Sequence, residues 1–182
     1  GCEVYFTIDE ELRKDTKPKL YHLLLLAKTN EGYHNLVRLV SESHVDNFYY
    51  KPRTTFSMLQ KYGKGIIGSS ACIAGIIEAA RQPSGRRGGG VGQEVRQLLR
   101  AGRLLHRAAE PGIRTDAGFT QTELNHMLTD VAKAAGLKTI ATNDFHYLTR
   151  EDARAQDYML CIGTGAAFND ANRMRFENDQ ST

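Results

Sequence analysis

The sequence contains no apolar run approaching the roughly 18 to 20 residues that a membrane-spanning helix needs. Leu23 to Ala27 is a run of only five. Cysteine is scarce: Cys2, Cys72 and Cys161 are the 3 present, far apart and forming no CxxC pair. That excludes a disulfide framework and a zinc ribbon. No basic and apolar leader opens the chain, so a cytosolic setting is the expectation. P-loop and GxSxG motifs are missing, as is the paired-Asp motif of a polymerase palm, so P-loop and serine-nucleophile chemistries have no support. What is present is ordinary for a soluble protein with a buried core: 182 residues, 41% hydrophobic and 25% charged, enough for one domain or a little more.

The formal net charge of +3 is localised. Residues 81–114 hold eight arginines, no lysine and two acids, whereas the rest of the chain is slightly acidic. The same stretch holds 7 of the 17 glycines and none of the 8 tyrosines or 7 phenylalanines. Three readings fit it. Gly/Arg-rich composition suits a flexible basic linker or insertion, because it offers too little apolar surface for a core. Val95, Leu98, Leu99 and Leu105 would make one side of a basic amphipathic helix. Translation of a GC-rich gene out of frame would also yield Arg, Gly, Ala and Pro.

Elsewhere the pattern alternates. Cys2 to Ile8 reads as a strand rich in β-branched and aromatic residues, and Asp9 to Lys19 as a charged loop. Leu20 to Ala27 has the near-continuous apolar character of a parallel strand buried on both faces. Asn30 is placed to cap a helix whose apolar face would be Tyr33, Leu36, Val37 and Val40. Phe48 to Arg53 reads as a loop because of Pro52, and Thr54 or Thr55 as the cap of a short helix. Gly65 to Ala71 is a further strand, and Ile73 to Ala80 begins a helix. Thr120 to Ala135 is a helix with Leu124, Leu128 and Val131 inward and Gly136 as its stop. Leu137 to Thr142 is a strand and Arg150 to Ile162 a helix. This alternation predicts an α/β fold with a parallel sheet or barrel.

Candidate chemistry gathers where strands meet loops. Asp144 and His146 follow the strand ending at Thr142, and their spacing of two would project both from its C-terminal end, where α/β barrels form their sites. A carboxylate and an imidazole so placed suit a divalent metal; a turn Asp beside a surface His is the bland alternative. Cys72 also closes a strand and could as well be a buried, inert thiol. Glu3 lies within an apolar strand, where a carboxylate is costly unless paired with a lysine or bound to metal. His22 lies within the apolar run as a ligand or a hydrogen-bonded core histidine. His34, His44 and His126 read as surface residues.

A family resemblance gathers these residues. Gly1-Cys2-Glu3-Val4-Tyr5, Tyr21 to Lys28, Glu31-Gly32-Tyr33-His34-Asn35-Leu36, Phe48 to Arg53 and Ser70-Ala71-Cys72 occur in the order of the polymerase-and-histidinol-phosphatase (PHP) domain of bacterial DNA polymerase III alpha subunits. Ala141 to Tyr147, Glu151 to Ala155 and Leu160 to Gly165 continue that order. The resemblance implies a distorted (β/α)7 barrel of PHP type, incomplete here, able to bind up to three divalent metals (Zn, Mn or Mg) at its C-terminal face. It places Glu3, His22, Cys72, Asp144 and His146 at metal-ligand positions and implies 3′–5′ exonuclease or phosphoesterase chemistry in members that keep the site. A silent scaffold module and a free-standing phosphoesterase are the rival readings. DNA, the proofreading exonuclease subunit and the sliding clamp are the implied partners of a cytoplasmic bacterial replicase, with no membrane.

The resemblance also divides the chain. Residues 1–80 correspond to the first part of the barrel, 115–165 to its C-terminal part, and 166–182 to the start of the connection to a polymerase region. The family's opening His-x-His has no counterpart, so the chain reads as a fragment in which metal binding is weak or absent. Residues 81–114 stand where the family has a helix and a strand of the type Phe-Tyr-x-Glu-x-Gln, which favours the frame reading. One alternative frame across codons 81 to 112 is expected to encode such a helix and strand. Sequencing the coding DNA decides it, and stop codons or Arg/Gly-rich text in every alternative frame would establish a genuine insertion.

Overall fold

The computed structural model describes residues 1–12, 18–71, 104–107, 120–135, 137–142 and 146–175. The elements are β1 (Cys2–Phe6), β2 (Tyr21–Ala27), α1 (Asn30–Val45), β3 (Phe48–Tyr49), β4 (Lys51–Pro52), α2 (Phe56–Tyr62), β5 (Ile66–Ser70), β6 (Leu104–Arg107), α3 (Gln121–Ala135), β7 (Thr139–Thr142) and α4 (Ala153–Thr164), the last entered through a 3-10 turn at Arg150–Asp152. The chain divides into two compact units, Gly1–His106 with His126–Ile140, and Arg107–Asn125 with Ala141–Thr182. The expected helix start at Ile73 to Ala80 and the stop at Gly136 lie outside the described residues, as do the side chains of Leu124, Leu128 and Val131.

The first unit is built on a sheet of order β1-β2-β5. Both of its ladders are antiparallel, with Val4 opposite Leu23 and Leu23 opposite Ser70. This corrects the parallel reading of Leu20 to Ala27. An apolar run reports how much of a strand is covered, and carries nothing about the direction of its neighbours. Burial along β2 in fact alternates: Tyr21, Leu23 and Leu25 are buried, whereas His22 and Leu24 are half-buried and Leu26 is exposed. Parallel pairing occurs at the bridge from Phe6 to Thr54, where the Thr7 amide donates to the Thr54 carbonyl and the Thr54 amide to that of Tyr5.

Val4, Phe6, Tyr21, Leu23 and Leu25 share the core face of the sheet, and α1 packs on β2 and β5 with Leu36 and Leu39 buried. Fully burying one such side chain contributes about 1.5–3 kcal/mol. The inward face of α1 is Gly32, Leu36, Leu39 and Ser43; Tyr33 and Val37 of the expected stripe are exposed. The stripe was shifted because Gly32 and Ser43 are not apolar, yet their small size is what the packing requires. Thr29, not Asn30, is the cap, and its Oγ1 accepts from the Gly32 amide at 3.0 Å. Gly32 also faces the Gly65 carbonyl so closely that an added Cβ would lie 1.9 Å from its oxygen. That same oxygen accepts from the Lys28 amide at 2.8 Å, and Gly65 itself has φ 76°, a conformation open to glycine.

Phe48 to Arg53, expected as a loop, is a tight ladder in which Phe48 pairs with Pro52 and Tyr49 with Lys51. Pro52 is tolerated because the ladder is short and lies at an edge. Arg53 leaves it buried at 2% exposure, donating from Nε to the Asn47 carbonyl at 3.0 Å and from Nη2 to that of Leu12 at 3.1 Å. Thr55 caps α2. Glu42 on α1 accepts from Lys61 at 2.9 Å and from the Tyr62 hydroxyl at 2.6 Å on α2. Those two hydrogen bonds hold its carboxyl below the ordinary carboxylate range.

Of the Arg/Gly-rich stretch, only Leu104–Arg107 is described, and it is a strand paired with β7. The amphipathic-helix reading therefore fails at Leu105, where two adjacent leucines serve a strand. Before α3, the Thr120 amide donates to Glu123 Oε2 at 2.8 Å and the Glu123 amide to Thr120 Oγ1 at 3.2 Å, a reciprocal capping box. In the second unit α4 ends at Gly165, φ 68°, with the Ala166 amide donating to the Cys161 carbonyl. Arg173 then ties the following segment back, pairing through both nitrogens with Asp157 and donating from Nε to the Phe168 carbonyl at 2.8 Å. Its guanidinium also lies over the Phe168 ring, which stacks on Tyr158.

The junction between α1 and β5 makes a quantitative expectation. Thr29→Ala removes one cap and is expected to cost about 1 kcal/mol. Gly32→Ala is expected to cost more, because backbone must move to admit the methyl group. Urea unfolding of both variants checks the order, and a Gly32→Ala chain as stable as the parent would show the contact to be unimportant.

Candidate functional site

The register of β1 and β2 decides which polar side chains meet. Glu3 lies opposite Leu24 and Tyr5 opposite His22, so Glu3 and His22 are diagonal neighbours on the face turned away from Leu23 and Leu25. Their side chains touch: His22 Nδ1 lies 2.9 Å from Glu3 Oε1. Because a carboxylate oxygen only accepts, the imidazole donates from Nδ1. In the neutral ring this leaves the Nε2 lone pair for another partner. The two side chains are 38% and 54% exposed, so the pair is reachable from solvent. Among the described residues nothing else hydrogen-bonds to the His22 ring.

Two neighbours complete the setting. The Tyr5 ring stands edge-on to His22, with centroids 5.1 Å apart at 70°. Lys51 Nζ lies 5.0 Å from the Tyr5 ring centroid. Sequence reasoning assigned no role to either residue. The signal that could have found them is the antiparallel register, which places Tyr5 directly across from His22. Lysine pairing of Glu3, one of the two readings open from sequence, gives way to pairing with His22.

The other expected residues are distributed differently. Cys72 and Asp144 lie outside the described residues. His146 is exposed in the bend after β7 and belongs to the second unit. The Tyr147 hydroxyl beside it is buried and has no hydrogen-bond partner among the described residues. Among the described residues no three His, Cys, Asp or Glu side chains gather in the manner of a metal site. His34, His44 and His126 are exposed, as expected. The described residues include no helix long and apolar enough to cross a membrane.

Comparison with known proteins gives the family. The model of the PHP domain matches residues 1–108. The chain belongs to the PHP domain family. This PHP chain is 36% identical over 187 residues to the DNA polymerase III subunit alpha of Borreliella burgdorferi, a match covering 99% of the chain and 16% of that protein. It is 32% identical over 185 residues to the subunit of the same name from Treponema pallidum, covering 99% and 15%. The Deinococcus radiodurans subunit is 34% identical over 185 residues, with 94% and 12% covered. The PHP chain thus spans about a sixth or less of the length of these curated relatives.

The Glu3–His22 contact predicts a tautomer. Neutral His22 is expected to carry its proton on Nδ1 in the parent chain, and to move toward the Nε2–H form, usual for a free imidazole, in Glu3→Ala. Nitrogen-15 NMR of the ring distinguishes the two forms, and an identical tautomer in both chains would show that Glu3 does not orient the ring.

Proposed function

We propose that this chain is part of the PHP domain of a replicative DNA polymerase alpha subunit, and that its polar sheet face contributes to a divalent-metal site for phosphoester chemistry. The observation that carries the reading is the Glu3–His22 pair, a carboxylate holding an imidazole by Nδ1 on the sheet face away from the buried core. A carboxylate behind a histidine fixes the ring and raises the basicity of its other nitrogen, an arrangement that recurs beside bound metals. The donor set fits such an ion: Glu3 and His22 supply one oxygen and one nitrogen, with Cys72, Asp144 and His146 proposed as the remaining ligands. Zn, Mn and Mg are the candidates.

The barrel is part of the same proposal. In the first unit α1 covers one face of the sheet and the donors occupy the other, as in a barrel with its helices outside and its site within. When bound, paired divalent ions would acidify a water and offset charge on a phosphoryl group. Glu3 would orient His22, His22 would present Nε2 to the ion, and Tyr5 would limit the ring's rotation by edge contact. A 3′–5′ exonuclease on DNA is the activity that suits this chemistry. DNA, a proofreading exonuclease subunit and a sliding clamp are the proposed partners of the whole cytoplasmic replicase.

Two measurements test this. In a full-length protein carrying this PHP domain, Glu3→Gln is expected to weaken metal affinity roughly 10- to 100-fold, and His22→Ala and Asp144→Asn at least as much. Unchanged metal content in all three would overturn the metal reading. The 182-residue chain by itself is expected to show no nucleotide incorporation and little nuclease activity, since a site short of donors binds metal weakly. A chelator-sensitive 3′–5′ exonuclease rate in that chain would show that its own residues suffice.

A further inference from the structure

Tyr50 is out of place by conformational standards. It sits at the tip of the β3–β4 ladder with φ 58°, and it is the sole non-glycine residue with positive φ among those described. A bulky side chain in the left-handed region is disfavoured, and glycine is the default for such a position. A residue held there against its preference is often one whose side chain is used. The Tyr50 side chain is 70% exposed and meets Tyr49 edge-on at 4.6 Å, and Phe48 of the same ladder is also exposed.

The next residue connects this tip to the candidate site. Lys51 is exposed at the surface, and its ammonium lies over the ring of Tyr5. Tyr5 in turn touches His22, and His22 touches Glu3. A cation therefore adjoins the sheet face that carries the imidazole and carboxylate, and the residue before it is an exposed aromatic ring. That combination matches the chemistry of a single nucleic-acid strand, whose unpaired bases stack on aromatic rings while phosphates seek cations. A peptide partner has no comparable use for a cation beside a site of phosphoester chemistry.

We propose that Tyr50 and Lys51 form a strand-holding subsite for single-stranded DNA, Tyr50 stacking on a base and Lys51 pairing with a phosphate, so that a phosphodiester is presented beside Glu3 and His22. The subsite deepens the phosphoester reading and rests on it for its purpose. Its binding, however, is measurable with no metal present.

The test is fluorescence anisotropy of a labelled oligothymidylate of about 12 nucleotides, within the span such surfaces bind, with the full chain in chelator across a salt series. Tyr50→Ala is expected to bind about 5- to 100-fold more weakly, and Tyr50→Phe to bind like the parent. Tyr50→Gly should lose binding equally while relieving the backbone, so that a loss accompanied by raised thermal stability cannot be blamed on misfolding. Lys51→Gln should flatten the plot of log affinity against log salt by about 0.7. Equal affinity of parent, Tyr50→Gly and Lys51→Gln at every salt would overturn the subsite, as would equal affinity of the parent for single strand and duplex. Neither result touches the metal measurements, so the two ideas fail separately.

Discussion

Strand β2 is the constraint on which the first unit depends. It is hydrogen-bonded along both edges, so its direction and register are set twice, once by β1 and once by β5. A slip of one residue would send Tyr21, Leu23 and Leu25 to the polar face and bring His22 into the core. The hydrophobic core and the polar pair are consequently one arrangement seen from two sides. The apolar energy that holds Leu23 and Leu25 inward also holds His22 within reach of Glu3. No separate device is needed to place the imidazole.

The buried Arg53 performs a related task at the sheet's outer edge. Its guanidinium donates to carbonyls on either side of the ladder, at Asn47 and at Leu12, the second 41 residues away in sequence. A buried charge is tolerable when its donors are used, and a planar group with several fixed donors suits two carbonyls better than a lysine would. The ladder that carries Tyr50 and Lys51 is thereby attached to the loop after β1. The strained tip rests on a fixed base.

Much of the secondary structure was legible because its signals are local. The strands at Cys2 and Tyr21 and the helix after Thr120 all follow from patterns within a few residues. Strand sense was not legible, since the same Leu-rich run serves either direction. Nor was the inward face of α1, because the packing there selects Gly32 and Ser43 for smallness and a hydrophobic count passes over both. The Thr-x-x-Glu box at Thr120 is a local signal of the same kind. For the site, Glu3 and His22 could be singled out as costly polar residues in apolar strands, but their mutual contact depends on a register that no local pattern encodes. The resemblance that collected them is a statement about order along the chain, and the chain's membership of the PHP family agrees with it.

The close approach of Gly32 to Gly65 bears on how this unit absorbs change. Where a helix rests on side chains, shrinking one of them lets the helix settle inward and part of the lost contact is regained. At the first turn of α1 the helix already rests on backbone, with the Gly65 carbonyl as the stop. It has no room to settle. Large-to-small changes beneath that end, at Leu25 or Leu36, would therefore leave an open void, whereas the far end near Ser43 can still swing. Tolerance to sequence drift should then rise along a single helix from its N-terminus to its C-terminus, a gradient imposed by two residues that have no side chains.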